Sequence, residues 1–294
     1  LRRAAMMLLT LLLTTAAATR AVAQVPSLAE LGYTSVGVDE GWEGCGDGVN
    51  GTQHDAQGRP TVASSFSNMA QLVAEIHSLG LSAGWYQNGC KCGEKTDNPV
   101  NYAGDIRDLS AFGFDGVKID GCGAQLNLDL WANLFNASGK HIMIENCHWG
   151  RTVPNATWCP WNMYRTSHDL RARYASVVGN LHSTDYYARH NLSYPGCWAY
   201  ADMLEVGVYD GKGLPQKASK NNEHDPGLSR EEMRTNYAAW AIVSSPLILS
   251  TNINNETIMD IIWPIIANRE AIAINQAWAG HPGTLVRTLP PYTP

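Results

Sequence analysis

The sequence carries little charge: 16% of its 294 residues are Asp, Glu, Lys or Arg, and 45% are hydrophobic. That excludes an intrinsically disordered chain, which has the opposite balance. Basic residues are in deficit, with 21 Lys and Arg against 27 Asp and Glu and a net charge of −6. A nucleic-acid surface needs a basic patch, and this balance argues against one. Beyond the N-terminal stretch, no segment reaches the roughly 18 consecutive apolar residues of a membrane span. No cysteine spacing fits a zinc pattern well; Cys90 and Cys92 form C-x-C and the other five are scattered. No Gly-rich phosphate fingerprint follows the first strand-like run, which weakens a dinucleotide-binding reading. Phe is scarce as well. Four Phe stand against ten Trp and twelve Tyr, and aromatics with polar tips suit sugar-binding clefts as well as ordinary cores.

What is present first is an export signal. Arg2 and Arg3 precede an apolar run from Ala4 to Ala18, and Ala21-Val22-Ala23 has the small-x-small form of a cleavage site. Residues 1–23 therefore read as a secretory signal peptide. The alternative, a membrane anchor, would need a longer apolar stretch. Five N-x-S/T sequons begin at Asn50, Asn136, Asn155, Asn191 and Asn255, as expected for a chain that meets the glycosylation machinery. Seven Cys would tend to pair in an oxidising compartment, leaving at least one thiol over. The expected location is secreted, or lysosomal or vacuolar by the secretory route, with no membrane contact once the signal is removed.

The body alternates two periodicities. Short apolar runs that read as strands are Ser35–Val38, Ser82–Tyr86, Gly116–Ile119, Ile142–Ile144, Met163–Tyr164, Met203–Val208 and Leu247–Leu249. Between them, Met69, Leu72, Val73, Ile76 and Leu79 recur at helical spacing, as do Leu126, Leu130 and Leu134, and more loosely Met233, Tyr237 and Trp240. Strand–helix alternation implies parallel strands with crossover helices. Seven such strands favour a (β/α)8 barrel, an α/β TIM barrel, over a three-layer sheet.

In a barrel the reactive side chains sit at the C-terminal ends of the strands. Here those ends read Asp39-Glu40, Tyr86-Gln87-Asn88, Lys118-Ile119-Asp120, Glu145-Asn146-Cys147, Arg165 with Asp169, and Asp202 nearby. That is a ring of carboxylates with two cations and little His. A single buried acid is as readily a salt-bridge partner, but several on one side suit glycoside hydrolysis. That reaction needs one carboxylate to attack and one acid to protonate the leaving oxygen.

The order of local motifs is more specific. Leu31-Gly32-Tyr33 precedes Val38-Asp39-Glu40-Gly41-Trp42, and Gly113-Phe114-Asp115-Gly116-Val117-Lys118-Ile119-Asp120-Gly121-Cys122 follows. Then come Cys147-His148-Trp149-Gly150, Arg165-x-x-x-Asp169, Trp198-x-x-x-Asp202-Met203-Leu204, Ala238-x-Trp240-Ala241 with Ser245-Pro246-Leu247, and Ala273-Ile274-Asn275-Gln276. In this order they resemble the retaining α-galactosidase and α-N-acetylgalactosaminidase family, the melibiase group, from Leu31 to about Gly283.

The resemblance implies a nucleophile at Asp120 and an acid/base at Asp169. It implies substrate contacts from Asp39, Glu40, Tyr86, Lys118, His148, Trp149, Arg165 and Asp202. Lys118 precedes Asp120 by two residues on one strand, so both face the barrel interior and the ammonium favours an ionised Asp120. The resemblance also implies disulfides Cys147–Cys159 and Cys92–Cys122, with Cys90 competing for Cys122. It leaves Cys45 for the remaining thiol and Cys197 without an obvious partner. No cofactor and no metal are implied. The expected partner is an α-galactoside oligosaccharide or glycoconjugate, with a homodimer as one option.

Three departures qualify the expected specificity. Glu40 stands where the family has a second Asp, and one methylene in a sugar clamp shifts a hydroxyl contact. His148 replaces the acid that contacts the 2-hydroxyl, which keeps α-N-acetylgalactosaminidase and β-L-arabinopyranosidase activities in view. Tyr200-Ala201-Asp202-Met203 keeps only the second acid of Asp-Pro-Asp-Met. A catalytically weak sugar-binding relative is the reading from another class. The family's first strand, with its Gly-Trp-Asn-Ser-Trp-like motif, has no counterpart. The expected organisation is thus a signal peptide over 1–23, a barrel lacking its first strand over 24–283, and the start of a truncated C-terminal β-sandwich over 284–294.

Overall fold

The computed structural model describes residues 25–209 and 227–289, so the signal-like segment 1–23 lies outside the described residues, as do 290–294. Six parallel strands form one sheet in chain order: β1 (Ser35–Gly37), β2 (Ser82–Gln87), β3 (Gly116–Asp120), β4 (Met143–Cys147), β5 (Met163–Arg165) and β6 (Trp198–Tyr200). Helices α1 (Met69–Ser78), α2 (Pro99–Phe112) and α3 (Leu128–Ala137) cross over between the first four strands. A loop joins β4 to β5, and α4 (Tyr174–Ser183) with α5 (Asp185–Arg189) joins β5 to β6. Helices α6 (Arg230–Ile242), α7 (Glu256–Ile266) and α8 (Arg269–Gln276) follow. Among the described residues the architecture is a parallel half-barrel of six strands.

The helix starts are written in the sequence. Asn68, Asn98, Asn127, Asn255 and Asn268 each accept a backbone N–H at the head of the following helix, filling donors that would otherwise be orphaned. Ser229 and Glu232 close a reciprocal capping box on α6. Pro99 occupies the first turn of α2, where its missing N–H costs nothing, and Gly113 ends that helix at φ 95°.

Strand alternation then divides the side chains between two layers. On β3, Val117 and Ile119 are 1% and 0% exposed in the layer beneath the helices, with Trp42, Trp85, Tyr102, Phe114 and Trp131. Trp85 stacks on Phe114 with ring centroids 5.1 Å apart. Each such burial contributes about 1.5–3 kcal/mol for an aliphatic or Phe side chain, so this layer fixes the register of the sheet. The alternate residues Lys118 and Asp120 turn to the concave face. A second core joins Leu204 and Val206 to Met233, Tyr237 and Trp240 of α6 and to Ile258, Ile262 and Ile266 of α7.

The structure corrects several expectations. Met203–Val208 and Leu247–Leu249 are not strands; a single parallel bridge, Leu204 to Leu249, joins them. Gly207, at φ 79° and packed against Ile258 and Ile262, turns the first of these runs away from extended geometry. The sixth strand is instead Trp198–Tyr200. On α3 the buried face is Leu128, Trp131, Ala132 and Phe135. Leu126 precedes the helix and is 49% exposed, while Leu130 and Leu134 are only partly buried. All three residues of β1, an edge strand of the sheet, are exposed, whereas the other edge, β6, is largely buried. Residues 284–289 carry no regular secondary structure.

Candidate active site

The register of the sheet sets the site. Tyr86 on β2 stands opposite Lys118 on β3, and Lys118 opposite Glu145 on β4. One step further along, Asp120 stands opposite Cys147. Arg165 on β5 is opposite Tyr200 on β6, and Asp202 follows two residues later. Charged and phenolic side chains thus meet in two adjacent rows at the C-terminal ends of the strands.

Asp120 is 8% exposed. Its Oδ2 accepts the Tyr86 hydroxyl at 2.7 Å, while its Oδ1 is buried with no hydrogen-bond partner. Its backbone carbonyl accepts Nδ2 of Asn88 at 2.5 Å. Burial pushes the Asp120 carboxyl above its ordinary pKa, and the Asp169 charge adds to that. The Tyr86 hydroxyl, Lys118 and Arg165 oppose the rise. The expectation that Lys118 governs Asp120 directly is therefore refined. The Lys118 ammonium lies 5.3 Å from the Tyr86 ring centroid and donates to Asp39 Oδ2 at 2.8 Å. Tyr86 is the direct partner of Asp120, and Lys118 acts at longer range.

Arg165 is the second organising cation. It is 2% exposed, and its Nη2 reaches Asp202 Oδ2 at 2.7 Å and Asp169 Oδ1 at 3.0 Å. Asp202 also accepts the backbone N–H of Leu170 and of Met203. Burial raises the Asp202 carboxyl despite that pairing. Asp169 differs from both: its side chain is 76% exposed, at the rim of the site. Asp39, also at the rim, is 53% exposed. Glu40 Oε1 accepts the backbone N–H of Lys91, which ties the end of β1 to the loop after β2.

The loop after β4 supplies the remaining wall. His148 is 3% exposed and its Nδ1 faces the Thr152 hydroxyl at 2.9 Å. Burial and the neighbouring Arg151 charge hold its pKa down to about 4, so it is a neutral imidazole at ordinary pH. Trp149 adopts φ 54°, an uncommon conformation for a bulky residue. Arg151 lies over its ring at 4.4 Å.

Other contributors were given no role by the sequence, although Glu145 and Asn88 stand among the strand-end residues. Glu145, in the row beneath Asp120, has its pKa pushed up to about 7 by burial, moderated by Lys118 and Arg165. Behind the site, Glu94 contacts His54 Nδ1 at 2.6 Å and Asp105 contacts His54 Nε2 at 2.9 Å. Gln125 donates to Asp105 at 2.7 Å, and its backbone N–H donates to Asn88 Oδ1 at 2.8 Å. This chain of contacts ends at the Asp120 carbonyl. Glu145 was legible as a strand-end carboxylate; the His54 cluster had no sequence signal, because its members lie 40 and 51 positions apart.

The cysteines pair as Cys45–Cys92, Cys90–Cys122 and Cys159–Cys197, with Cys147 free and buried. The expected Cys147–Cys159 bridge does not form. Cys147 is the last residue of β4 and shares its inward face with Glu145, whereas Cys159 packs in the outer layer with Trp158 and Trp161. Cys197 reaches that outer layer just before β6 and takes Cys159, with α-carbons 6.3 Å apart. Of the two candidates for Cys122, Cys90 makes the bridge and Cys92 turns to Cys45.

A parallel barrel-type sheet gathers carboxylates around the buried Arg165 and the half-buried Lys118 at its C-terminal face, where (β/α)-barrel proteins carry their reactive groups. The comparisons make this specific. The Melibiase_2 family, described as α-galactosidase A, matches residues 13–277, and the chain belongs to it. An α-galactosidase from Oryza sativa subsp. japonica is 27% identical over 273 residues, covering 89% of this chain and 58% of that protein. The crystal structure of α-galactosidase I from Mortierella vinacea superposes with a TM-score of 0.66 at 25% identity, covering 87% of this chain and 66% of that one. A β-L-arabinopyranosidase from Geobacillus stearothermophilus shares the fold at a TM-score of 0.62 and 17% identity, with 84% and 69% coverage. The chain spans about three-fifths of the length of the rice relative.

Proposed function

We propose that this chain carries the catalytic site of a secreted retaining glycoside hydrolase that releases terminal α-linked galactose. The observation that carries the reading is the state of Asp120. One carboxylate oxygen is anchored by the Tyr86 hydroxyl and the other is left without a partner in a buried row. A carboxylate held by one oxygen and free at the other is suited to attack a carbon centre.

In this reading Asp120 Oδ1 attacks the anomeric carbon as its bond to the leaving oxygen breaks, and Asp169 gives that oxygen its proton. The Asp169 carboxylate then takes a proton from water as the water oxygen attacks the same carbon and frees Asp120. The exposure difference fits the division of labour. The nucleophile lies deep, under the sugar, and the acid lies at the rim, where the aglycone must leave. Lys118 with Asp39, and Arg165 with Asp202, present fixed donors and acceptors to hydroxyl groups. Glu40, His148 and Trp149 complete the walls.

His148 favours a second reading of the 2-position. A neutral, buried imidazole replaces the acid the family carries there, which is compatible with α-N-acetylgalactosaminidase or β-L-arabinopyranosidase activity. Removal of residues 1–23 on export, with glycans on the exposed Asn136 and Asn155, belongs to the same proposal. Its test is release of sugar from 4-nitrophenyl α-galactoside, α-N-acetylgalactosaminide and β-L-arabinopyranoside by the full protein, with Asp120→Asn as the control. Galactose release abolished in Asp120→Asn supports the reading. Binding of galactose without turnover of any of the three leaves the sugar-binding alternative.

A further inference from the structure

The cations of the site are not equally engaged. Lys118 is ion-paired with Asp39, and Arg165 with Asp202 and Asp169. Arg151 is held without a carboxylate. Its guanidinium stacks on Trp149 at 4.4 Å from the ring centroid, and Nη2 donates to the Gly121 carbonyl at 3.3 Å. Gly121 directly follows Asp120, so this cation is fastened one residue from the proposed nucleophile. Among the described residues no acidic oxygen lies within ion-pair distance of it, and its neighbour His148 is neutral. A guanidinium has five N–H donors, and most of those on Arg151 remain unused while its plane is fixed.

The backbone is shaped to deliver this arrangement. Trp149 sits at φ 54° and Gly150 at φ 77°. A side chain at Gly150 would meet the Thr166 carbonyl at 2.6 Å, so only glycine fits beneath the stacked pair. A left-handed tryptophan held over a blocked glycine is strained geometry of the kind that concentrates at binding sites. A fixed, unneutralised guanidinium fork on an aromatic face is complementary to an oxyanion.

We infer that Arg151 forms a subsite for an anionic substituent, so that the site prefers α-galactosides carrying a sulfate ester or a carboxylate over neutral ones. This rests on the galactoside reading above and names a substrate class for it. Arg151 is exposed, so one or two charge-assisted hydrogen bonds there correspond to a gain of roughly 10-fold in affinity.

The test is equilibrium binding by calorimetry, on the full chain carrying Asp120→Asn so that nothing turns over. The probes are methyl α-galactoside, its 2-, 3- and 6-O-sulfates, and methyl α-galacturonide. The expected result is that at least one anionic probe binds about tenfold or more tightly than the neutral parent at low salt. Adding Arg151→Leu should bring that ratio to within about threefold of one, and Arg151→Lys should retain only part of it, because an ammonium lacks the fork. The sulfate and galacturonide arms show which oxyanion is preferred. If the neutral parent binds and no anionic probe binds more tightly, or the advantage survives Arg151→Leu, the subsite is overturned and the galactoside reading stands. If neither the parent nor any anionic probe binds, both fall.

Discussion

Tyr86→Phe isolates one contact at the centre of the site. Tyr86 is 3% exposed and its hydroxyl donates to Asp120 Oδ2 at 2.7 Å. Phe keeps the ring, its packing and its place near Lys118, and removes only the donor. A hydrogen bond to a charged group is worth about 1.5–3 kcal/mol. It is made chiefly to the ionised carboxylate, so its loss should raise the Asp120 pKa by roughly 1–2 units. Asp120 is already raised by burial, so the change adds to an existing shift. The acid limb of kcat/KM on 4-nitrophenyl α-galactoside should move upward by that amount, and the rate on the acid side should fall roughly 10- to 100-fold. Stability has its own sign. A carboxyl whose pKa is higher folded than unfolded binds more protons in the native state, so stability falls as pH rises between the two values. The variant should therefore lose more thermal stability at pH 7 than at pH 4. A uniform loss of rate with an unmoved acid limb would refute the reasoning, because Tyr86 would then be acting through packing alone.

Four further outcomes follow from other parts of the structure. Asp169→Ala should slow natural α-galactosides far more than substrates with good leaving groups, which need little protonation; the ratio of kcat/KM for the two classes measures it. Burial lowers the His54 pKa, but Asp105 and Glu94 outweigh it and raise the group to about 10. Its stabilising contribution should be complete below about pH 6.5, the ordinary unfolded value, and be lost as pH rises towards 10. His54→Ala should cost about 3 kcal/mol at pH 6, since it strands the buried Asp105 and the half-buried Glu94, and the gap in melting temperature from the parent should narrow by pH 10. Thiol titration should find one free thiol per chain, silent until unfolding because Cys147 is buried, and a non-reducing peptide map should recover Cys159–Cys197. The 38-residue separation closed by that bridge corresponds to about 4 kcal/mol in the chain-entropy picture, so Cys159→Ser with Cys197→Ser should lower the melting temperature clearly.

Much of the site was legible because β3 is an ordinary alternating strand. Once Val117 and Ile119 are assigned to the helix layer, Lys118 and Asp120 must face inward together. Asp169 was marked differently, by the resemblance of Arg165-x-x-x-Asp169 to the family's motif; strand alternation says nothing about a residue four positions past the end of β5. The partner choices within the site were not. Lys118 turns to Asp39 and leaves Asp120 to Tyr86, a decision made by three strand ends meeting in space. The cysteines show the same limit. Cys147 and Cys159 lie close in sequence but on opposite faces of the sheet, and only the fold separates them. At the C-terminal end of the sheet, Met203–Val208 is apolar enough for a strand. Its burial against α6 and α7 comes from a turning segment instead, while the shorter aromatic run Trp198–Tyr200 completes the ladder. Two cores with different layer partners produce the same composition, so hydrophobicity alone did not distinguish them.

The most direct test of the proposed chemistry is to trap the covalent intermediate. The protein is incubated with a fluorinated galactosyl donor that slows the second step, then digested and analysed by mass spectrometry. The account predicts a single galactosyl adduct on the peptide containing Asp120, lost on further incubation and absent from Asp120→Asn, with the product sugar released in its original anomeric configuration. An adduct on Asp169 or Glu145, or release of the inverted anomer with no adduct, would contradict it.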